Sequence, residues 1–186
     1  MADTKSYCEA VASGNLHPVH KAYHDFQYGF PVEDDNELFA RLVLELNQAG
    51  LSWETILKKQ KGFYEAYDNF DVLKVAQYGV QDRERLRNDP RIIRNRLKIN
   101  AAIHNAGVIK QLRKEYGSFK NWLDHHHPLA KPDWIKLFKK HFKFTGAEIT
   151  NEFLMSTGYL KGAHVEGCPI HKEILKMNPP WIEIKS

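Results

Sequence analysis

Two groups of residues in this chain have types and spacings that could do chemistry. The first lies in the stretch Leu44-Glu45-Leu46-Asn47-Gln48-Ala49-Gly50-Leu51-Ser52-Trp53. Leu38, Leu42, Glu45, Leu46 and Ala49 recur at the spacing of one helical face, which puts the Glu45 carboxylate on the apolar side. A carboxylate there loses hydration and must be paired, hydrogen-bonded, protonated or engaged with a ligand. Gly50 predicts the end of that helix and Ser52 the cap of the next, with Trp53 in its first turn. A buried acid and a large ring then flank a tight corner, and Tyr23 is a second flat side chain within the same chemistry. Such a pocket suits a flat, electron-poor group carried on a polyanion, as a flipped, damaged base is. A brace that merely ties down a loop would also bury a carboxylate, and the residues alone leave both readings open.

The second group is His164-Val165-Glu166-Gly167-Cys168, a His-x3-Cys pair, with Cys8 the only other cysteine and His24 one of several candidate histidines. A Cys2His2 set closes a tetrahedral structural Zn²⁺ site. Spacing alone favours two buried thiols and unrelated histidines, because zinc-finger spacing is absent and the two halves are far apart. The run His125, His126, His127 beside Asp124 reads as a polar loop rather than a metal site. G-x-S-x-G, Walker and Rossmann glycine patterns are missing, which argues against nucleophilic and nucleotide-dependent enzymes.

The chain that must position these groups has 186 residues, 42% hydrophobic and 27% charged, enough for one core or two small lobes of a soluble protein. Its net charge of +4 is unevenly placed: Arg83 to Lys114 holds ten Lys or Arg against Glu84 and Asp89. An anionic partner such as nucleic acid, or a solvated helix face, accounts for that block equally well. Two cysteines near opposite ends make no disulfide framework, and Met1-Ala2-Asp3-Thr4-Lys5 lacks a hydrophobic leader. A cytoplasmic protein with no membrane association is expected.

Periodicity predicts helices throughout. Residues 1–35 read as loop with short helical pieces; a helix runs from Asp35 to about Ala49, and Ser52 opens another that breaks near Gly62. Asp71 and Asp82 look like caps of two short helices. Pro90 starts a long helix that ends at Tyr116-Gly117, with Asn95 at a corner within it. Ser118 caps a helix containing Trp122, Pro132-Asp133 starts one from Trp134 to Phe142, and Gly146 precedes one ended by Gly158. Pro179-Pro180-Trp181 reads as a packing arm. No period-2 alternation and no internal repeat is present, so the fold class is all-α.

Several blocks then combine into a recognisable pattern: Ala22-Tyr23-His24-Asp25, Gly29, Leu44-Glu45, Gln48 to Trp53 and Leu57-Lys58-Lys59. Arg91 to Arg96 with Lys98-Ile99, Phe142 to Gly146, and His164 to Cys168 follow in the same order. In these residues and spacings the chain resembles the DNA-3-methyladenine glycosylase I family of the helix-hairpin-helix glycosylase superfamily, over roughly residues 8 to 168. The resemblance implies a helix-hairpin-helix DNA glycosylase-like fold of two helical lobes, one glycosylase domain over 1–186 with a C-terminal tail at 169–186. It implies a structural Zn²⁺ on Cys8, His24, His164 and Cys168, joining the N- and C-terminal segments, which reverses the reading from spacing. The implied activity is hydrolysis of the N-glycosidic bond of 3-methyladenine in alkylated double-stranded DNA, releasing the free base in base excision repair. Glu45 would be the base-reading and catalytic residue, with Tyr23, Trp53 and Tyr28 in the base pocket and Arg91, Arg94, Arg96 and Lys98 on the DNA backbone. A monomer is expected.

The chain also departs from the family's pattern. Tyr28-Gly29 stands where Trp-Gly is usual, Glu9-Ala10-Val11 lacks an aromatic, and His20 replaces one. Leu97 takes the place of a hairpin glycine, Thr145 to Glu148 lacks a proline, and the segment before Phe142 is short and lacks a Ser-rich motif. These positions lie on the base and DNA sides. The alternative function is therefore a non-catalytic, zinc-stabilised DNA-binding relative that recognises damaged duplex.

Overall fold

The structure, a computed structural model, describes residues 6–182; the expectations about residues 1–5, and about the last four residues of the tail, lie outside the described residues. Among those described, eleven α-helices form in order. They are α1 Tyr7–Ala12, α2 Pro18–Phe26, α3 Asp35–Gln48, α4 Trp53–Ala66, α5 Val72–Val75, α6 Val80–Asn88, α7 Arg96–Tyr116, α8 Phe119–His126, α9 Lys131–His141, α10 Ala147–Ser156 and α11 Pro169–Lys176. Short 3-10 turns cover Asp68–Phe70 and Pro180–Ile182, and no strand is present among the described residues. The fold is all-α, as the periodicity predicts.

The centre of the main core is α3. Leu38, Phe39, Ala40, Leu42, Val43, Leu44 and Leu46 are all buried, so the helix is covered on every side rather than along one stripe. The helices α4, α7, α8 and α10 supply that cover. Asp34 caps α3 by accepting from Glu37 N at 2.9 Å. Asp35 does more: its carboxylate takes Arg113 Nε at 2.6 Å, Phe119 N at 2.9 Å and Lys120 N at 3.0 Å. One buried acid thereby satisfies the N-terminus of α8 and the end of α7 together. A continuous apolar core runs from Val32 through Phe39, Phe63, Phe70 and Trp122 to Tyr159, and a smaller cluster of Tyr23, Tyr28 and Leu57 sits beside it against Trp53.

Four local expectations are corrected. The helix α4 is unbroken at Gly62, because that glycine marks a close approach rather than a stop: a Cβ there would lie 2.7 Å from Arg91 Cβ and 2.8 Å from its carbonyl oxygen. Asp82 is not an N-cap but sits three residues in, accepting the Gly79 N–H at 3.0 Å. Pro90 starts no helix; Asp89 to Asn95 is a turn, and the Asn95 side chain caps α7 by accepting Leu97 N at 2.9 Å and Lys98 N at 3.1 Å. Burial of Ile92 in that turn mimicked helical periodicity. His125 and His126 form the last turn of α8 rather than a loop. The described part of the tail does pack as an arm: the backbone N–H of Trp181 donates to Gly158 O at 3.1 Å, and its ring stacks on His171 at 6.0 Å.

Candidate active site and metal centre

The corner between α3 and α4 is sharp because Gly50 takes a positive φ of 81°, open to glycine at little cost, and because Ser52 Oγ accepts Thr55 N at 3.2 Å. This places Glu45 and Trp53 on one cavity of about 760 Å³, lined also by Tyr7, His20, Tyr23, Tyr28, Gln48, Glu148 and Glu152. Tyr23 meets Trp53 edge to face at 5.1 Å and lies against Tyr28 at 5.4 Å. Tyr7 stands edge-on to Tyr28 at 5.6 Å. The walls are thus aromatic and the deep end acidic.

Glu45 is 5% exposed, and no group among the described residues donates a hydrogen bond to its carboxylate or pairs with it. Burial pushes its carboxyl up to about 8, the charge of Glu152 adds to the rise, and Arg41 offsets part of it. Arg41 cannot neutralise it further, being held by Glu37 Oε1 at 2.6 Å and Gln27 O at 3.1 Å. A carboxylate so placed is able to accept charge-assisted hydrogen bonds from a ligand's N–H groups, and to favour a cation.

Three pocket residues escape the sequence reading. Glu148 and Glu152 each precede an inward residue of α10, Ile149 and Phe153, so their place at the edge of the apolar stripe was a usable signal. Tyr7 supplies the ring that Glu9-Ala10-Val11 lacks, and its hydroxyl lies 3.0 Å from Nδ1 of His20, the other departure. The two changes are complementary in space.

At the back of Tyr28, the side chains of Cys8, His24, His164 and Cys168 converge, all buried, with their ligand atoms within 4.8 Å of one another. His164 Nδ1 lies 3.5 Å from Cys8 Sγ and 3.6 Å from Cys168 Sγ, and His24 Nε2 is 3.7 Å from Cys168 Sγ. The outer nitrogens are engaged: His164 Nε2 donates to Tyr28 O at 2.7 Å, and His24 Nδ1 faces Asp25 Oδ1 at 2.7 Å. Such second-sphere partners fix which nitrogen faces inward. The four residues could hold a metal ion, and they tie α1 and α2 to the segment before α11.

With this geometry in place, comparison with known proteins is decisive: residues 13–134 match the methyladenine glycosylase family. The chain belongs to that family. It is similar to DNA-3-methyladenine glycosylase 1 of Escherichia coli (strain K12), 35% identical over 170 residues that cover 81% of this chain and 90% of the relative. It is 31% identical to the DNA-3-methyladenine glycosylase of Haemophilus influenzae over 166 residues, 79% of this chain and 89% of that one. Among solved structures, 3-methyladenine DNA glycosylase I from Staphylococcus aureus, described with its recognition of 3-methyladenine, superposes with a TM-score of 0.78 at 34% identity, covering 86% of this chain and 94% of that one. A tyrosine-to-phenylalanine variant of 3-methyladenine DNA glycosylase I in complex with 3-methyladenine gives 0.77 at 33% identity, with 86% and 95% covered.

In this methyladenine glycosylase the basic block divides into free and committed cations. Arg94 and Arg96 are exposed on the turn and the first residue of α7. Arg91 is held by Asp89 Oδ2 at 2.7 Å and Glu65 Oε2 at 2.8 Å. Lys98, expected on the same face, is turned inward and buried, donating to Asn47 O and Ala49 O at 2.7 Å each. Its ammonium caps the carbonyl end of α3, where a helix dipole favours positive charge. Leu97 is exposed, and its φ is not positive, so the turn as built here needs no glycine at that position.

Proposed function

We propose that this methyladenine glycosylase hydrolyses the N-glycosidic bond of 3-methyladenine in double-stranded DNA and releases the free base, opening base excision repair. The observation that carries this is Glu45, a buried acid without a partner at the end of an aromatic slot. Methylation at N3 makes the nucleoside cationic. On bond breaking the electron pair stays on N9 and cancels that charge; the sugar becomes cationic, and water adds at C1′ with loss of a proton. The leaving group is already good, so the protein's task is to extrude the nucleotide, hold it and exclude competing bases. Glu45 would accept the exocyclic amine, with Trp53, Tyr23 and Tyr28 enclosing the ring. Because positive charge leaves the ring as the bond breaks, an anion at the amine end contributes to capture more than to cleavage.

The Cys8, His24, His164, Cys168 set is read as a structural Zn²⁺ site. Tetrahedral zinc with its usual bond lengths would set S to N separations of about 3.6 Å, which agrees with the three separations of 3.5, 3.6 and 3.7 Å between His164 or His24 and the two thiols. With all four positions supplied by protein, bound zinc would cross-link the chain rather than activate water. We further read α6, the turn and α7 as the hairpin that meets the DNA backbone through Arg94 and Arg96, with Arg91 a weaker contributor and Lys98 a positioning residue. One glycosylase domain over 1–186, acting as a cytoplasmic monomer, completes the reading; no helix among the described residues is long and apolar enough to cross a membrane.

The test is chromatographic: methylated duplex DNA is incubated with the protein and released bases are identified. Free 3-methyladenine is expected, with Glu45→Gln raising KM more than it lowers kcat. Binding to methylated duplex without release would instead establish the non-catalytic relative.

A further inference from the structure

The cavity carries a second acid that the chemistry above does not use. Glu152, half-buried on α10, accepts the Tyr28 hydroxyl on Oε2 at 3.2 Å and Asn151 Nδ2 on Oε1 at 3.3 Å. It makes no ion pair among the described residues. Burial pushes its carboxyl up; the hydrogen bonds from Tyr28 and Asn151 offset part of the rise, the charge of Glu148 adds to it, and Lys131 offsets a little more. The same cavity holds Glu45, more than nine-tenths buried and without a partner, and the charge of Glu152 reaches it. Tyr28 is therefore both a wall of the slot and the arm that holds the second carboxylate.

An exocyclic amine cannot by itself tell an alkylated adenine from an ordinary one, since both offer it to Glu45. Charge can, because only the alkylated nucleoside is cationic. With no ligand bound at neutral pH, Glu45 keeps a proton because burial and the charge of Glu152 disfavour a second anion in the slot; a cation offsets that cost and lets both carboxylates ionise against it, whereas a neutral purine does not. We propose that Glu152, oriented by the Tyr28 hydroxyl, is a specificity-determining residue that makes the pocket favour cationic alkylpurines over neutral purines. The inference rests on the base-binding reading of the pocket.

Two probes share the ring and amine but differ in charge: 3,9-dimethyladeninium, a permanent cation, and neutral 9-methyladenine. Each is titrated calorimetrically into wild type, Glu152→Gln, Glu152→Asp and Tyr28→Phe, with melting curves to show that each variant is folded. Wild type should prefer the cation. Glu152→Gln should lower cation affinity by about tenfold while 9-methyladenine stays within about twofold, the size expected of one partly screened charge at several ångströms. Tyr28→Phe should move the ratio in the same direction by about threefold, through the loss of one hydrogen bond, and Glu152→Asp should keep the preference. No cation preference in wild type, an unchanged ratio in Glu152→Gln, or equal loss of both probes would overturn the role. Failure of wild type to release 3-methyladenine from DNA would remove the proposed activity but leave the charge ratio standing, so the two failures are distinguishable.

Discussion

Glu45 carries a cost as well as a use. Its folded-state value of about 8 lies above the ordinary 4.5, so between those limits the folded protein holds a proton that the unfolded chain has released. The stability compatible with this residue is fully present below about pH 4.5 and is lost as pH rises through about 8. Glutamine has the same shape and cannot ionise. Melting curves at pH 5, 7 and 9 should therefore show Glu45→Gln gaining on wild type as pH rises, by on the order of a few kcal/mol in total. Titration of free 3-methyladenine should show the opposite sign for function, a loss of roughly ten- to a hundredfold in affinity for the same variant. A bracing role would give a large drop in melting temperature and no change in affinity. Burial of Glu45 was legible from the spacing of Leu38, Leu42, Leu46 and Ala49; its lack of a partner was not, because that depends on what α2 and α10 bring across the cavity.

At the scale of elements, the base pocket and the hairpin are joined by one side chain. Lys98 stands in the first turn of α7 and grips the carbonyls of Asn47 and Ala49, just past Glu45 and just before the corner that presents Trp53. Its replacement by methionine keeps the stem but removes two charge-assisted hydrogen bonds, and chemical denaturation should register a loss of about 2 to 4 kcal/mol. The salt dependence of DNA binding should stay as it is in wild type. By contrast, Arg94→Ala and Arg96→Ala should leave stability within about 0.5 kcal/mol and each flatten the slope of log affinity against log salt by about one unit. A Lys98 variant that flattens the slope, with Arg variants that do not, would put the DNA on another surface. Sequence counted Lys98 with its neighbours because charge runs do not reveal which way a helix turns; the same blindness let Ile92 extend the α7 pattern back to Pro90 and made Gly62 look like a break. Capping residues were easier to find, as Asp71, Ser118 and Ser52 act locally on the next few N–H groups.

Across the whole molecule, the Cys/His cluster has consequences out of proportion to its size. Cys8 lies on α1, His24 on α2, and His164 and Cys168 some 140 residues later, so a shared ion would close nearly the entire chain into one loop. Spacing could not reveal this, since ligands from opposite ends meet only once α2 has packed beside the segment before α11; the family resemblance supplied what local pattern could not. The cluster also touches the pocket, because Tyr28 O accepts from the outer nitrogen of His164 while the Tyr28 ring lines the slot. Metal affinity released on folding adds directly to folding free energy, so Cys168→Ala and chelation should act alike. Elemental analysis of protein purified without chelators should find about one zinc per chain, the capacity of a single four-ligand site. Prolonged exposure to a strong chelator at neutral pH should lower the melting temperature substantially, with recovery on adding zinc but not magnesium, whose preference for oxygen ligands does not match thiolate and imidazole. Base affinity in whatever fraction stays folded should fall far less than it does in Glu45→Gln. Protein that carries no zinc and melts unchanged with chelator would reduce the cluster to two buried thiols and two histidines held by Tyr28 O and Asp25.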